Sequence, residues 1–293
     1  MGSSPSPMGR CQARERLTEG SDLAQRLGPG KARLQAPVGR PTLALMTTPA
    51  PPVFHPGPHG LSLATRFTPG FGPALVFLPG YMSDMAGGKA TAVFDWAAEI
   101  GRACLLLDYS GCGLSEGDFA LGTLSRWRDE VVALIHAHAL DDVVLVGSSM
   151  GGWLMLLVAQ ALPGTVRALV GLAAAPDFTE WGYDTAQKAM LAAGETVLEP
   201  NPYGPEPTPT HAAFWADGQA LLQLNDGVPF DGAVRLIHGQ ADADVPWTLA
   251  LTLAEKLRSS DVQVRLIKDG DHRLSRPQDI AVLLDTLASL PRD

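Results

Sequence analysis

The chain of 293 residues is short of cysteine, of cationic side chains and of long apolar runs. Its three cysteines, Cys11, Cys104 and Cys112, are odd in number and show no CxxC spacing. A disulfide framework or a zinc cluster is not expected from them, and a reducing compartment is the simpler reading. No run of about 18 apolar residues occurs, so no transmembrane helix is expected. Lysine and arginine number 22 against 31 aspartates and glutamates, for a net charge of −9. The first 45 residues carry +4, which leaves −13 on the remainder. An acidic body without a basic stripe repels phosphate and argues against nucleic acid as a partner.

What the chain has in quantity is apolar sequence: 46% of its residues are hydrophobic and 18% are charged, enough for a large core. Residues 1–60 are the exception. They are rich in Pro, Gly, Ser and Arg, show little apolar periodicity, and read as a disordered extension. They lack the apolar stretch of a secretory signal. The expected location is cytoplasmic, with a mitochondrial one as the alternative if the arginine-rich start is a transit peptide. Met46 offers an alternative start.

From residue 61 onward, short apolar runs alternate with amphipathic ones. Strands are predicted at 61–67 (an edge strand), 74–78, in 103–111 (a strand, then a loop), 143–147, 166–174, 233–239 and 262–270, with helices at 88–101, 123–140, 150–162, 247–257 and 277–289. This alternation predicts an α/β fold with a mostly parallel central sheet between helices, its strands buried on both faces. Residues 176–231 break the pattern. They contain Trp181, Tyr183, Trp215 and the proline-rich stretch EPNPYGPEPTPT, and read as a small cap inserted over the carboxyl edge of the sheet.

The stretch VVLVGSSMGGWLMLL (143–157) runs from a strand into a helix through Gly147-Ser148-Ser149-Met150-Gly151. A glycine two residues to either side of a serine removes the Cβ atoms that would clash in a sharp strand-to-helix bend. Ser149 is the residue so centred, and Ser148 is off-register. The helix start at Met150 adds N–H groups and a positive dipole end at the same point. Serine needs a base. His272, in KDGDHRLS after the last strand, has the right position among seven histidines. His211, in the cap, is a minor candidate for touching substrate, and His238 is expected to be structural. An imidazole base needs a carboxylate to orient it. IHGQADADVP offers Asp242, the fifth residue counted from His238, with Asp244 and Asp177 as alternatives. Two backbone N–H groups complete such a site: Met150 supplies one, and Tyr81, after Pro79-Gly80 in LPGYMSDM, supplies the other.

LPGYMSDMAGGKA, LLLDYSGCGLSEG, LVGSSMGGWLM, LIHGQADADVPW and KDGDHRLS together resemble the α/β-hydrolase branch that includes the mitochondrial palmitoyl-protein thioesterases. The likeness runs over about residues 61–290, in order. It implies an α/β-hydrolase fold with Ser149, Asp242 and His272 in the catalytic positions, in the family's chain order, and Tyr81 and Met150 as oxyanion donors. It implies a serine hydrolase of acyl esters or thioesters that needs no metal or cofactor, acting on a small-molecule acyl ester or thioester or on an acylated protein. A catalytically silent ligand-binding protein, and a hydrolase of carbon–carbon or peptide bonds, are the rival readings. The glycine-rich loop 108–117 lacks the lysine of a phosphate-binding loop and is expected only to turn the chain.

Overall fold

The computed structural model describes residues 51–202 and 204–291. Eight strands form one sheet: β1 (Val53–Pro56), β2 (Ser62–Thr68), β3 (Phe71–Leu78), β4 (Arg102–Leu107), β5 (Val143–Ser148), β6 (Val166–Leu172), β9 (Ala233–Gly239) and β10 (Val262–Ile267). Their order across the sheet is β1-β2-β4-β3-β5-β6-β9-β10. The β1–β2 and β2–β4 pairs are antiparallel, and every other pair is parallel. The predicted architecture is therefore the observed one.

The reason lies in burial. All six residues of β4 and of β5 are buried, so these strands need apolar cover on both faces. Helices α1 (Gly88–Glu99) and α8 (Pro277–Ala288) cover one face, where Val93, Ala97, Leu283 and Leu287 join Val144 and Val146 in one apolar cluster. Helices α2 (Leu124–Ala137), α3 (Met150–Ala161) and α7 (Thr248–Lys256) cover the other, where Trp127, Trp153 and Leu253 meet Leu145 and Leu169. Fully burying each of these large side chains is worth about 1.5–3 kcal/mol.

Between β6 and β9 the chain leaves this pattern. It forms α4 (Phe178–Trp181), α5 (Thr185–Ala192), a two-stranded antiparallel sheet of β7 (Val197–Glu199) and β8 (Thr208–Thr210), and α6 (Ala212–Ala220). Tyr183, Leu191 and Val197 make its own small apolar cluster.

Two expectations change. An extension unstructured as far as residue 60 is not what forms: Val53–Pro56 pairs with β2 in register, Val53 opposite Thr65. Four residues with a terminal proline carry too little periodicity to be seen without their partner strand. The strand at 61–67 is consequently not an edge; β1 covers it, and His55 on β1 lays its ring 4.6 Å from that of His138. The expectations about a transit peptide and a start at Met46 fall outside the described residues.

Strand register decides where the loops meet. Leu78 pairs with Gly147, Ser148 with Leu172, Leu172 with Ile237, and Gly239 with Ile267. The carboxyl ends of five strands therefore finish level, and the loops that leave them converge.

Candidate active site

Ser149 stands between β5 and α3 with φ +54° and ψ −118°, backbone that L-residues rarely adopt and that costs on the order of 1–3 kcal/mol. The surroundings hold it there. Its N–H donates to Leu172 O at 2.9 Å, and its carbonyl accepts from Gly152 N at 2.8 Å and Ala175 N at 3.0 Å. The flanking glycines are required by space: a Cβ at Gly151 would lie 2.1 Å from Leu78 O, and one at Gly147 would lie 2.3 Å from Gly151 O. Ser148 is buried and Ser149 only half-buried, so the serine centred between the glycines is the more accessible of the two.

His272 reaches this point from the loop after β10. That loop approaches β9 so closely that a Cβ at Gly239 would lie 2.1 Å from Gly270 O. His272 Nε2 lies 3.0 Å from Ser149 Oγ, and His272 Nδ1 lies 2.9 Å from Asp242 Oδ2. A carboxylate oxygen only accepts, so Nδ1 carries the hydrogen and Nε2 is left as the acceptor for the serine hydroxyl.

The Asp242 side chain is fully buried, with four contacts. Oδ1 accepts from Asp244 N at 2.9 Å and Val245 N at 2.8 Å, while Oδ2 faces His272 and, at 3.1 Å, His238 Nε2. Burial alone would raise its pKa, but the hydrogen bonds from His238 and His272, with the Val245 N–H, outweigh it and hold the carboxyl well below the usual carboxylate range.

Of the other carboxylate candidates, Asp244 stands beside the site, on the cavity lining, and Asp177 lies elsewhere. Asp244 is exposed and follows the Asp242 turn. Asp177 is buried in left-handed backbone (φ +59°) and accepts from Gln223 N and Leu224 N, both at 2.8 Å, which ties down the return of the inserted segment. His211 N-caps α6 and meets Thr196 Oγ1 through Nδ1 at 3.1 Å. Burial pushes the Cys112 thiol up to about 12, so it is no thiolate nucleophile near neutral pH.

Gly80, just before Tyr81, approaches the elbow so closely that a Cβ there would lie 3.3 Å from Ser149 Cβ. The Tyr81 ring packs against Phe119, Phe178 and Phe214, and its hydroxyl donates to Pro209 O at 2.9 Å. Met150 opens α3 and is buried. A cavity of about 730 Å³ lies over these residues, lined by Tyr81, Ser149 and His272 below and by Glu199 and Thr208 from the inserted segment.

Two residues of this neighbourhood are not singled out by sequence pattern. His238, expected to be structural, touches Asp242 directly. Lys89 lines the cavity from the first turn of α1, and its Nζ donates to Arg273 O, next to His272. Burial and the nearby Arg273 lower its pKa to about 8. A cation at a helix N-terminus opposes the macrodipole, and that is the one signal of it in the sequence. Asp242, Asp244 and His272 also bring three potential metal-ligand atoms within 4.8 Å of one another, but Asp242 and His272 direct theirs at each other.

The fold and this junction have relatives. A family model described as the alpha/beta hydrolase fold matches residues 73–199. Palmitoyl-protein thioesterase ABHD10, mitochondrial, from mouse is 38% identical over 234 residues, 78% of each chain. The chain belongs to the α/β-hydrolase family. Among solved structures, this α/β hydrolase is similar to alpha/beta hydrolase domain-containing protein 10 from mouse, at 34% identity and a TM-score of 0.76 over 82% of this chain and 97% of that one. It is equally similar to a protein of Agrobacterium vitis S4 assigned to the hydrolases, at 36% identity and a TM-score of 0.76 over 82% and 98%. The relatives correct one expectation about the hydrolase. The mouse protein is named as mitochondrial, as are its rat and human counterparts, and the cytoplasmic expectation is withdrawn. It rests on sparse cysteine, which reports a reducing compartment and does not single out the cytosol.

Proposed function

We propose that this α/β hydrolase cleaves acyl thioesters and esters by way of a Ser149 acyl-enzyme, and that it does so in mitochondria, as the relatives' names indicate for them. Ser149 is the nucleophile, His272 the general base and then acid, and Asp242 the carboxylate that orients His272. Tyr81 and Met150 supply backbone N–H groups to the oxyanion. The observation that carries this reading is the 3.0 Å approach of His272 Nε2 to a serine hydroxyl held on strained backbone.

In the first half-reaction His272 Nε2 takes the Ser149 proton as Oγ attacks the acyl carbonyl. The imidazolium then gives that proton to the departing thiolate or alkoxide. Water then attacks the acyl carbonyl as it loses a proton to the same nitrogen, and that proton passes to Ser149 Oγ as the acid departs. The fixed charge of Asp242 stabilises the imidazolium in both halves. The α3 N-terminus and the Gly80–Tyr81 turn flank Ser149, where preorganised donors are worth roughly 3–4 kcal/mol each. Residues 176–231 serve as the cap that shapes the cavity, with Glu199 and Thr208 on its lining. The substrate is a small-molecule acyl thioester or ester, or an acylated protein as the relatives' name describes for them.

The test is a panel of acyl thioesters and p-nitrophenyl esters of graded chain length, together with labelling by a fluorophosphonate probe. The wild type should turn over the panel and take the label. Ser149→Ala should lose at least about 10⁴-fold in kcat and all labelling while unfolding at the same temperature. Retained turnover in Ser149→Ala would refute the nucleophile. A wild type that neither labels nor turns over would leave only a ligand-binding protein.

A further inference from the structure

The Asp242 carboxylate has two imidazole neighbours, and the hydrolytic mechanism uses one. Oδ2 lies 2.9 Å from His272 Nδ1 and 3.1 Å from His238 Nε2. His238 sits four residues upstream, near the end of β9, and is fully buried. Its Nε2 also lies 3.2 Å from Val245 O. Both of these neighbours accept, so the His238 hydrogen is on Nε2 and is shared between them. His238 Nδ1 is buried and has no hydrogen-bond partner among the described residues. A hydrogen there would be an orphaned buried donor, so the ring acts as a donor through Nε2 alone.

We propose that His238 is a positioning residue for the hydrolytic site: it fixes the Asp242 Oδ2 atom at the point where His272 must find it. The inference rests on the reading of Asp242 as the carboxylate that orients His272. Three bonds then set the carboxylate plane without His272, two at Oδ1 from Asp244 N and Val245 N and one at Oδ2 from His238. His272 arrives on a separate loop, 30 residues further on, and meets an oxygen already placed. His238 also draws part of the Oδ2 charge to itself, which tempers how strongly Asp242 stabilises the His272 imidazolium. Asp244 follows Asp242 on the same loop, and Lys89 on α1 interacts with the Asp242 carboxylate as well as with Asp271 and Arg273 on either side of His272 and Asp279 on α8.

The experiment compares wild type, His238→Leu, His238→Gln and Asp242→Asn for kcat, KM, melting temperature and the pH profile of kcat/KM on one p-nitrophenyl ester. His238→Leu should lose roughly tenfold in kcat, the worth of one hydrogen bond to a charged group. Its KM should stay within a factor of about two. Its acid limb should move up by about half a pH unit, because the undivided Oδ2 charge now serves His272 alone. His238→Gln keeps an N–H donor near the Nε2 position and should recover most of the rate and of the limb. Asp242→Asn should lose far more than either. Equal losses in Leu and Gln that track a fallen melting temperature, or a wild-type pH profile in His238→Leu, overturn the positioning role while Asp242→Asn still supports the triad. Full activity in Asp242→Asn overturns the triad reading and this inference with it. Should His238→Leu fail to fold, ¹⁵N NMR of the wild-type imidazoles decides: hydrogen on Nε2 throughout the active pH range supports the role, and hydrogen on Nδ1 overturns it.

Discussion

The sheet and the inserted segment between β6 and β9 are held together by different means. In the sheet, β3, β5, β6 and β9 are fastened by parallel backbone ladders and buried on both faces. In the insertion, Phe214 sits in the apolar cluster shared with α2 and α3, Phe178 packs against it, and single side-chain hydrogen bonds fix the turns and helix ends. Asp177 holds Gln223 and Leu224, Asp217 on α6 accepts from Ser125 N and Oγ at the start of α2, and Trp215 Nε1 donates to Thr179 O at 3.0 Å. Tyr183 meets Thr210, and Tyr81 reaches up from the sheet side to Pro209. A ladder shares its load over many equivalent bonds, so one residue rarely decides its position. A segment whose polar ties are single side chains has specific points of failure, and such a tie can be lost without unfastening the ladders beneath.

Four substitutions break or sharpen this contrast. The largest effect should come from the elbow, where sheet and helix leave no free space. Gly151→Val should cost more than about 4 kcal/mol in denaturant unfolding and abolish hydrolysis, since its Cβ would lie 2.1 Å from Leu78 O. Near-wild-type stability would mean that the elbow can relax and that the sheet is the softer region.

Asp177→Asn keeps the side-chain shape and tolerates left-handed backbone, but it turns one accepting oxygen towards N–H groups into a donor. About 2 kcal/mol should be lost. Hydrogen exchange should speed up in residues 176–231 and hardly change in β5 and β6. Uniform loss of protection across both regions would erase the distinction.

Lys89→Met probes a side-chain tether within the scaffold itself. The folded-state pKa of about 8 lies below the ordinary 10.5, so between those values the unfolded chain binds more protons than the native one. Wild-type stability should therefore gain about 2–3 kcal/mol as pH rises from 8 to 10.5, relative to the variant. Urea melts at three pH values in that window read the slope difference, and parallel curves would show that the ammonium bears no such burden.

The smallest effect belongs to Tyr81→Phe. It removes the hydroxyl bonded to Pro209 O and leaves the Tyr81 backbone in place. Burial keeps that phenol protonated far above its usual range, so the bond persists at all working pH values. The melting temperature should fall by only a few degrees, for about 1 kcal/mol. KM should rise by a small factor with kcat nearly unchanged, and most for the bulkiest acyl groups of the panel. A kcat loss as large as that of KM would show that the hydroxyl also sets the geometry beside Ser149.

The same division explains which elements are legible in the amino-acid sequence. β5 is visible because VVLVG is a pure apolar run that ends at glycine, and α2 because Leu124, Trp127, Val131, Leu134 and Ile135 recur at helical spacing; all five are buried. Such patterns express local chemistry, and the parallel sheet follows from their alternation. β1 is invisible because its four residues gain meaning only opposite β2. The inserted segment offers turns and aromatics but no repeat, and which carboxylate holds which N–H across 46 or 92 residues is not written in spacing.

By itself, then, the sequence determined the fold class, the glycine-flanked bend at Ser149 and the chain order of the later loops, because each depends on residues within a few positions of one another. Tertiary structure decided the rest. It brought His272 within 3.0 Å of Ser149 across 123 residues, set His238 against Asp242, and hung the insertion on Asp177 and Asp217. Those contacts arise from the level carboxyl ends of strands distant in the chain, and strand register is a property of the packed sheet.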